Sequence, residues 1–382
     1  MRIRWTSWIM VATGVLTLIV GVATGGGQAR AATTASAPAA IASAATASQG
    51  TSYVTGGELN GVAATSSGNA WAVGYTGSFQ PTKTLILHWN GKGWAKSPGF
   101  TPVTGSLSAI AAVSATDAWA VGYTGSPDKG ERTLLMHWNG KAWSTVTTPK
   151  PVVGGFSSVT ATATYAWAAG TAPVSAAIIW HWNGKAWANS PTPSVPGGVD
   201  LQGIAATSAG TAWAGGLGTL QTQISDVLLR WNGRSWSTVR FPMAGVYHYL
   251  DAISAGPKGT AWAVGYNAGG EVSKTISMHW NGKAWANTPG SQTGDFNGVA
   301  AVPGGTAWAV GAASSPRGVS SATVIARWTG KAWGKVASPI LASGGQLSAV
   351  AAASTSSAWA VGFTGVLSQK TLILRWNGKK WS

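Results

Sequence analysis

The sequence has no cysteine, which removes disulfide staples, thiolate nucleophiles and cysteine-based zinc or iron–sulfur centres together. Acidic residues are almost as scarce. Nine Asp and Glu in 382 residues leave little with which to build general acid/base sites, carboxylate metal cages or the carboxylate pairs of glycosidases. Charged residues of both signs make up 9% of the chain, against roughly a quarter in ordinary soluble domains, so long solvated helices lack raw material. What is abundant is Gly (53) and Trp (24), with 25 Lys and Arg raising the formal charge to +16. This inventory points to no catalytic residue set, no metal and no cofactor.

The N-terminus reads as an address. Arg2 and Arg4 precede an apolar run from Ile9 to Thr24, followed by Gly25, Gly26 and Gly27 and the small-x-small site Ala29-Arg30-Ala31. Residues 1–31 are expected to be a secretory signal peptide, cleaved before Ala32. An uncleaved anchor is the weaker reading, because Gly14 and Gly21 interrupt a run that is short of the roughly 20 residues needed to span a bilayer. Cleavage removes three Arg and lowers the charge from +16 to +13. Residues 32–50 are almost all Ala, Ser and Thr, and read as a disordered leader. The expected location is extracellular, in the medium or at the cell wall, with no membrane contact after cleavage.

The rest, residues 51–382, is one motif set repeated seven times. Ala-Trp-Ala-(Val/Ala/Gly)-Gly recurs with Trp at 71, 119, 167, 213, 262, 308 and 359. A second motif, a basic residue followed by Trp-Asn-Gly-Lys-x-Trp with small variations, places Trp at 89, 138, 182, 231, 280, 328 and 376 and again five residues later. Upstream of each lies Leu/Phe-x-x-Val/Ile, as in Leu59/Val62 and Phe296/Val299. The spacing of 46 to 51 residues, rich in Gly and aromatics, is that of four-stranded propeller blades. The expected fold is all-β: a single seven-bladed β-propeller of four-stranded antiparallel blades.

Within a blade, the inner strand ends in small pairs such as Ala63-Ala64, as a crowded ring centre requires. In strand two the period of two puts Trp71, Val73 and Tyr75 on one face. Strand three, Leu85 to Trp89, is almost continuously apolar, as for a strand covered on both sides. Asn90-Gly91 signals a hairpin turn of two residues, which sets Trp89 opposite Lys92 and lays the lysine over indole. Proline follows strand four in six copies, at 98, 149, 191, 242, 289 and 339, suiting an exposed edge. The last copy stops at Trp381-Ser382, so Ser52 to Thr55 is expected to close the ring near blade seven.

The Ala-Trp-Ala-Val-Gly and Gly91–Trp94 motifs resemble the Trp-rich propeller repeats of secreted actinobacterial proteins across about residues 57–382. They are distantly similar to Asp-box, sialidase-like propellers and to photosystem II assembly factor propellers. The Ser and Asp of the Asp box fall on Leu87 and Trp89, so the resemblance implies architecture and transfers no catalytic residue.

Chemistry could sit on the basic rim, in the seven hairpin Lys/Arg and the His or Arg before each first hairpin Trp, as a surface for polyanions. A solvated rim is the simpler reading. The His side chains belong to different blades, too far apart to share an ion. The loops after strands two and four vary while the strands repeat, and they hold Tyr75, Tyr123, Tyr266 and Phe363, together with Asp128, Lys129, Glu131, Arg132, Glu271, Lys274 and Arg317. One segment concentrates aromatic and polar groups: Arg240, then Tyr247, His248, Tyr249 and Asp251. His248 and Asp251 can be drawn as an acid/base pair, and Tyr247 and Tyr249 as simple packing on Leu250. The reading is a non-catalytic, monomeric binding or scaffold module. Its partner is an extracellular glycan, a cell-wall polymer or a protein surface, with no specific nucleic acid; a glycoside-processing enzyme and a non-specific polyanion binder are the alternatives.

Overall fold

The computed structural model describes residues 53–77, 81–126, 130–147, 152–208, 210–220, 223–240, 243, 247–302, 304–313, 322–365 and 368–382. The proposed signal peptide and leader, with Ser52, Asp128, Lys129 and Arg317, lie outside them. The chain forms seven antiparallel sheets, each built from consecutive strands, and the described residues contain no α-helix and none long and apolar enough to cross a membrane. Blade one shows the pattern: Gly57–Ser66, Asn69–Thr76, Lys83–Trp89 and Trp94–Lys96, in that spatial order. The inner strand of blade one packs between those of blades two and seven, which closes a seven-bladed β-propeller. Six blades have four strands. The seventh has three, Gly345–Ser354, Ser357–Thr364 and Lys370–Trp376, plus an edge in which Trp381 bridges to Trp376 and Ser382 and Arg375 exchange two backbone hydrogen bonds (2.9 and 3.1 Å).

The ring is closed by the segment ahead of blade one. The Gly57 amide donates to the Gln369 carbonyl (3.0 Å), and the Thr371 amide to the Thr55 carbonyl (2.9 Å). The same geometry recurs between blades one and two, where Gly105 donates to Thr82 and Thr84 to Val103. Inner strands approach closely: a Cβ added at Gly61 would fall 2.9 Å from the Ala109 Cα, which is why glycine and alanine occupy this level.

Six of the seven seams are filled by a triad of indoles in ring contact, and at the seam of blades one and two the equivalent Trp71, Trp138 and Trp143 share one core cluster. The strand-two Trp of one blade meets the two hairpin Trp of the next, as in Trp119 with Trp182 (5.3 Å) and Trp187 (5.2 Å), or Trp262 with Trp328 (5.0 Å) and Trp333 (5.2 Å). Such tilted and edge-to-face contacts suit the indole quadrupole. The repeated tryptophans are thus the core between blades.

The hairpin differs from its expected form. Trp89 pairs with Trp94, so the loop is four residues long, because the Asn90 side-chain oxygen accepts from the Lys92 and Gly93 amides (3.0 and 3.1 Å) and Gly91 takes φ +91°. Thr329 does the same for the Ala332 amide in blade six. Lys92 therefore points into solvent with the other hairpin cations and does not cover indole. The basic residue before the hairpin fills that place: His137 stacks on Trp119 (4.2 Å), His181 on Trp167 (4.0 Å), and Arg375 lies 5.0 Å from both Trp359 and Trp89.

Candidate functional site

Antiparallel pairing brings the start of each inner strand and the end of each second strand to one mouth of the central channel. The residue before the repeated Leu or Phe faces the residue after the strand-two Gly: Glu58 faces Tyr75, Ser106 Tyr123, Asp200 Leu217, Tyr249 Tyr266, Asp295 Ala312 and Gln346 Phe363. Two positions further along, a bulge leaves one residue per inner strand out of the ladder, and all seven are polar: Asn60, Ser108, Ser157, Gln202, Asp251, Asn297 and Ser348. Some of these tie blades together; Asn60 Nδ2 donates to the Leu107 carbonyl (2.8 Å) and Asn297 Nδ2 to the Leu347 carbonyl (2.9 Å).

The scarce acids collect here. Glu58, Asp200, Asp251 and Asp295 stand on inner strands at this mouth, and Asp226 on the third strand of blade four at the same level. The Tyr75 hydroxyl donates to Glu58 Oε2 (3.0 Å) and Ser348 Oγ to Oε1 (3.5 Å), yet burial prevails and pushes the Glu58 carboxyl up to about 7. Asp226, with 1% of its side chain exposed, is likewise pushed up to about 7 by burial. Asp251 is held well above the usual carboxylate range, by burial first and then by the charges of Asp295 and Asp226. Burial also raises Asp295, against a hydrogen bond from Ser273. Near neutral pH the mouth therefore holds carboxyl groups that are partly protonated, able to donate as well as accept. Among the described residues no three His or carboxylate groups converge to hold a metal ion.

The residues singled out from sequence are partly united. Tyr75, Tyr123, Tyr266 and Phe363, expected in the loops after strand two, lie instead within strand two, because pairing with the inner strand runs one residue beyond each of them, and they occupy one level of four blades. Tyr249 stacks on Tyr266 with centroids 4.7 Å apart and planes within 1°, so its packing partner is that ring. Asp251 is the bulged residue of blade five. His248 does not pair with Asp251. It is buried, and its Nδ1 lies 3.7 Å from Asp226 Oδ2, on the third strand of the preceding blade. Tyr247 is 45% exposed with φ +64°, and Arg240 is exposed beyond the outer strand of blade four, apart from the set.

Sequence reasoning missed Glu58, Asp200, Asp226 and Asp295. For three of them a signal existed: they fall one residue before the repeated Leu or Phe, visible once the copies are stacked. Asp226 had none, since only the fold brings strand three of blade four against the start of blade five.

No family model and no curated protein sequence matches the chain. Among solved structures it is similar to YCF48 from Cyanidioschyzon merolae (15% identity, 83% of this chain and 96% of that one, TM-score 0.52). It is also similar to the GH74 xyloglucanase from Xanthomonas campestris (13%, 87% and 55%, TM-score 0.54), of which it spans about half the length. A third is the β-propeller domain of the Trilobed protease from Pyrococcus furiosus (9%, 86% and 97%, TM-score 0.52). At these identities the likeness concerns the propeller fold alone.

Proposed function

We propose that this chain is a secreted, monomeric binding module that holds a neutral, hydroxyl-rich ligand, a glycan or the sugar backbone of a cell-wall polymer, at the mouth of its channel. The observation that carries this is the convergence of Tyr75, Tyr123, Tyr249 and Tyr266 with Glu58, Asp200, Asp251 and Asp295 at one end of the ring. Aromatic faces suit the C–H faces of sugars, and the raised carboxyl groups of Glu58, Asp251 and Asp295 suit adjacent hydroxyls as donors or acceptors. A mouth with this acidic content disfavours polyanions, which the exposed hairpin lysines at the other face attract instead. Secretion rests on the charged, apolar, small-residue order of residues 1–31 and on the resemblance to Trp-rich repeats of secreted actinobacterial proteins.

One observation favours a second reading, glycoside processing: burial raises Asp226, Asp251 and Asp295, and Asp251 lies close enough to the other two to feel their charges, as a general acid requires. A glycan and cell-wall polymer array, probed at low and physiological salt with the wild type, Tyr266→Ala and Asp251→Asn, separates the readings. Salt-resistant binding to particular sugars that Tyr266→Ala abolishes supports the module. Binding to polyanions alone, fading with salt and unchanged by Tyr266→Ala, overturns it, and release of reducing ends that Asp251→Asn stops assigns the enzyme.

A further inference from the structure

On the opposite face of the ring, where the last blade meets the first, a cleft of about 420 Å³ lies between two turns. Its size is within the range of small-ligand sites. Hydroxyl side chains line it, Ser66 and Ser67 from the turn of blade one and Ser354, Ser356 and Ser357 from that of blade seven, with Arg375 beside them. This is the one seam whose two blades are not joined by a connecting loop.

The neighbouring blades show what Arg375 lacks. In every blade the basic residue of strand three shares a face with the residue before Ala-Trp in strand two. In blade one His88 Nε2 and Asn69 Oδ1 are 2.8 Å apart, and in blade two His137 Nε2 and Asp117 Oδ1 are 2.9 Å apart. In blade seven the corresponding pair is Arg375 and Ser357. Arg375 Nε is buried and Ser357 Oγ is buried, and neither finds a hydrogen-bond partner among the described residues. The guanidinium is fixed all the same, held over Trp359 and Trp89 at 5.0 Å from each. A buried donor and a buried hydroxyl left open beside a cleft are a cost that a ligand oxygen removes. A guanidinium clamped between indoles is pre-organised to present its planar fork to an oxyanion.

We propose that this cleft binds an oxyanion, a carboxylate or phosphate group carried on a hydroxylated chain, with Arg375 as the cationic anchor and the serine hydroxyls as donors to the anion and its neighbouring hydroxyls. Blade seven adds to the positive field at this seam: its hairpin reads Asn377-Gly378-Lys379-Lys380, the one copy with two lysines in succession. The site is separate from the mouth, so either assignment stands or falls alone.

The test is titration calorimetry of the purified chain with inorganic phosphate and with glucuronate at constant ionic strength. Saturable binding of either, at one site per chain, is expected, and the tighter probe identifies the source as phosphate or carboxylate. Ser357→Asp supplies from within the acceptor that Asp117 supplies to His137. It is expected to weaken binding at least tenfold while melting no lower than the wild type, and Arg375→Gln to weaken it as much. No saturable binding of either probe overturns the proposal, as does unchanged affinity in a folded Ser357→Asp variant.

Discussion

The indole of Trp359, in the last blade, lies 4.8 Å from that of Trp89 in the first, and Trp94 completes the triad at 5.2 Å from Trp359. The same triad of ring contacts is found at five of the other six seams, but here no loop ties the two blades. Trp359→Ala is expected to cost about 3–5 kcal/mol, as large aromatic truncations in a core do. It should also raise amide exchange at Thr371 and Gly57 more than Trp213→Ala does, since only the former opens the closing seam. Equal exchange in the two variants, read by mass spectrometry, would show that the backbone pairs close the ring without the indoles.

An alternation runs round the ring at the residue three after the second hairpin Trp. Ser97, Ser190 and Thr288 accept from the indole N–H of the next blade, from Trp143, Trp236 and Trp333 at 3.0 to 3.1 Å. Between them, Val146, Val239 and Val336 leave Trp187, Trp285 and Trp381 with buried N–H groups that have no partner among the described residues. Val146→Thr is expected to stabilise by about 1 kcal/mol and Ser97→Ala to destabilise by about 1–2 kcal/mol in urea unfolding. Destabilisation by Val146→Thr would mean that the hydroxyl does not reach Trp187.

Glu58 ties stability to pH. Its folded-state carboxyl is raised from 4.5 to about 7, so the folded chain binds more protons than the unfolded one across that window. The contribution is favourable below pH 4.5 and is lost as pH rises to about 7. Among the described residues no charged side chain hydrogen-bonds it; Tyr75 and Ser348 do. Glu58→Gln should match the wild type near pH 5 and exceed it by up to about 3 kcal/mol at pH 8. Thermal melts at the two pH values decide it, and an equal gain at both would remove the titration from the account.

His248 and Tyr247 are neighbours with opposite expectations. Tyr247→Ala, at an exposed site, is expected to stay within about 0.5 kcal/mol of the wild type. His248→Ala strips buried Asp226 of the ring beside it and leaves a gap where a buried side chain stood, and is expected to cost about 2 kcal/mol or more. Similar melting of both variants would return His248 to the surface.

The ring and its blades were legible because the period writes the same strands seven times, and a repeated Trp survives any error in one copy. The hairpin was misread by two residues: Asn-Gly signals a two-residue turn, but the Asn90 carboxamide captures two further amides and lengthens it. Tyr75, Tyr123, Tyr266 and Phe363 could be placed because they follow a repeated Gly. Glu58, Asp200 and Asp295 share a position but no common residue type, so the motif hid them. The pairing of His248 with Asp226 joins two blades, and the orphaned Arg375 and Ser357 matter only where a seam has no connecting loop; both needed the closed ring.

Both ends of the propeller lie along one edge of the same strand, Lys370–Trp376. The chain ahead of blade one holds it through Thr371 and Gln369, and the final residues hold it through Arg375. Tension applied between the two ends would therefore peel two short ribbons from that edge before loading any interior seam. Mechanically the molecule is a bracelet with a clasp, and the clasp, a handful of backbone hydrogen bonds and one indole triad, is weaker than the band.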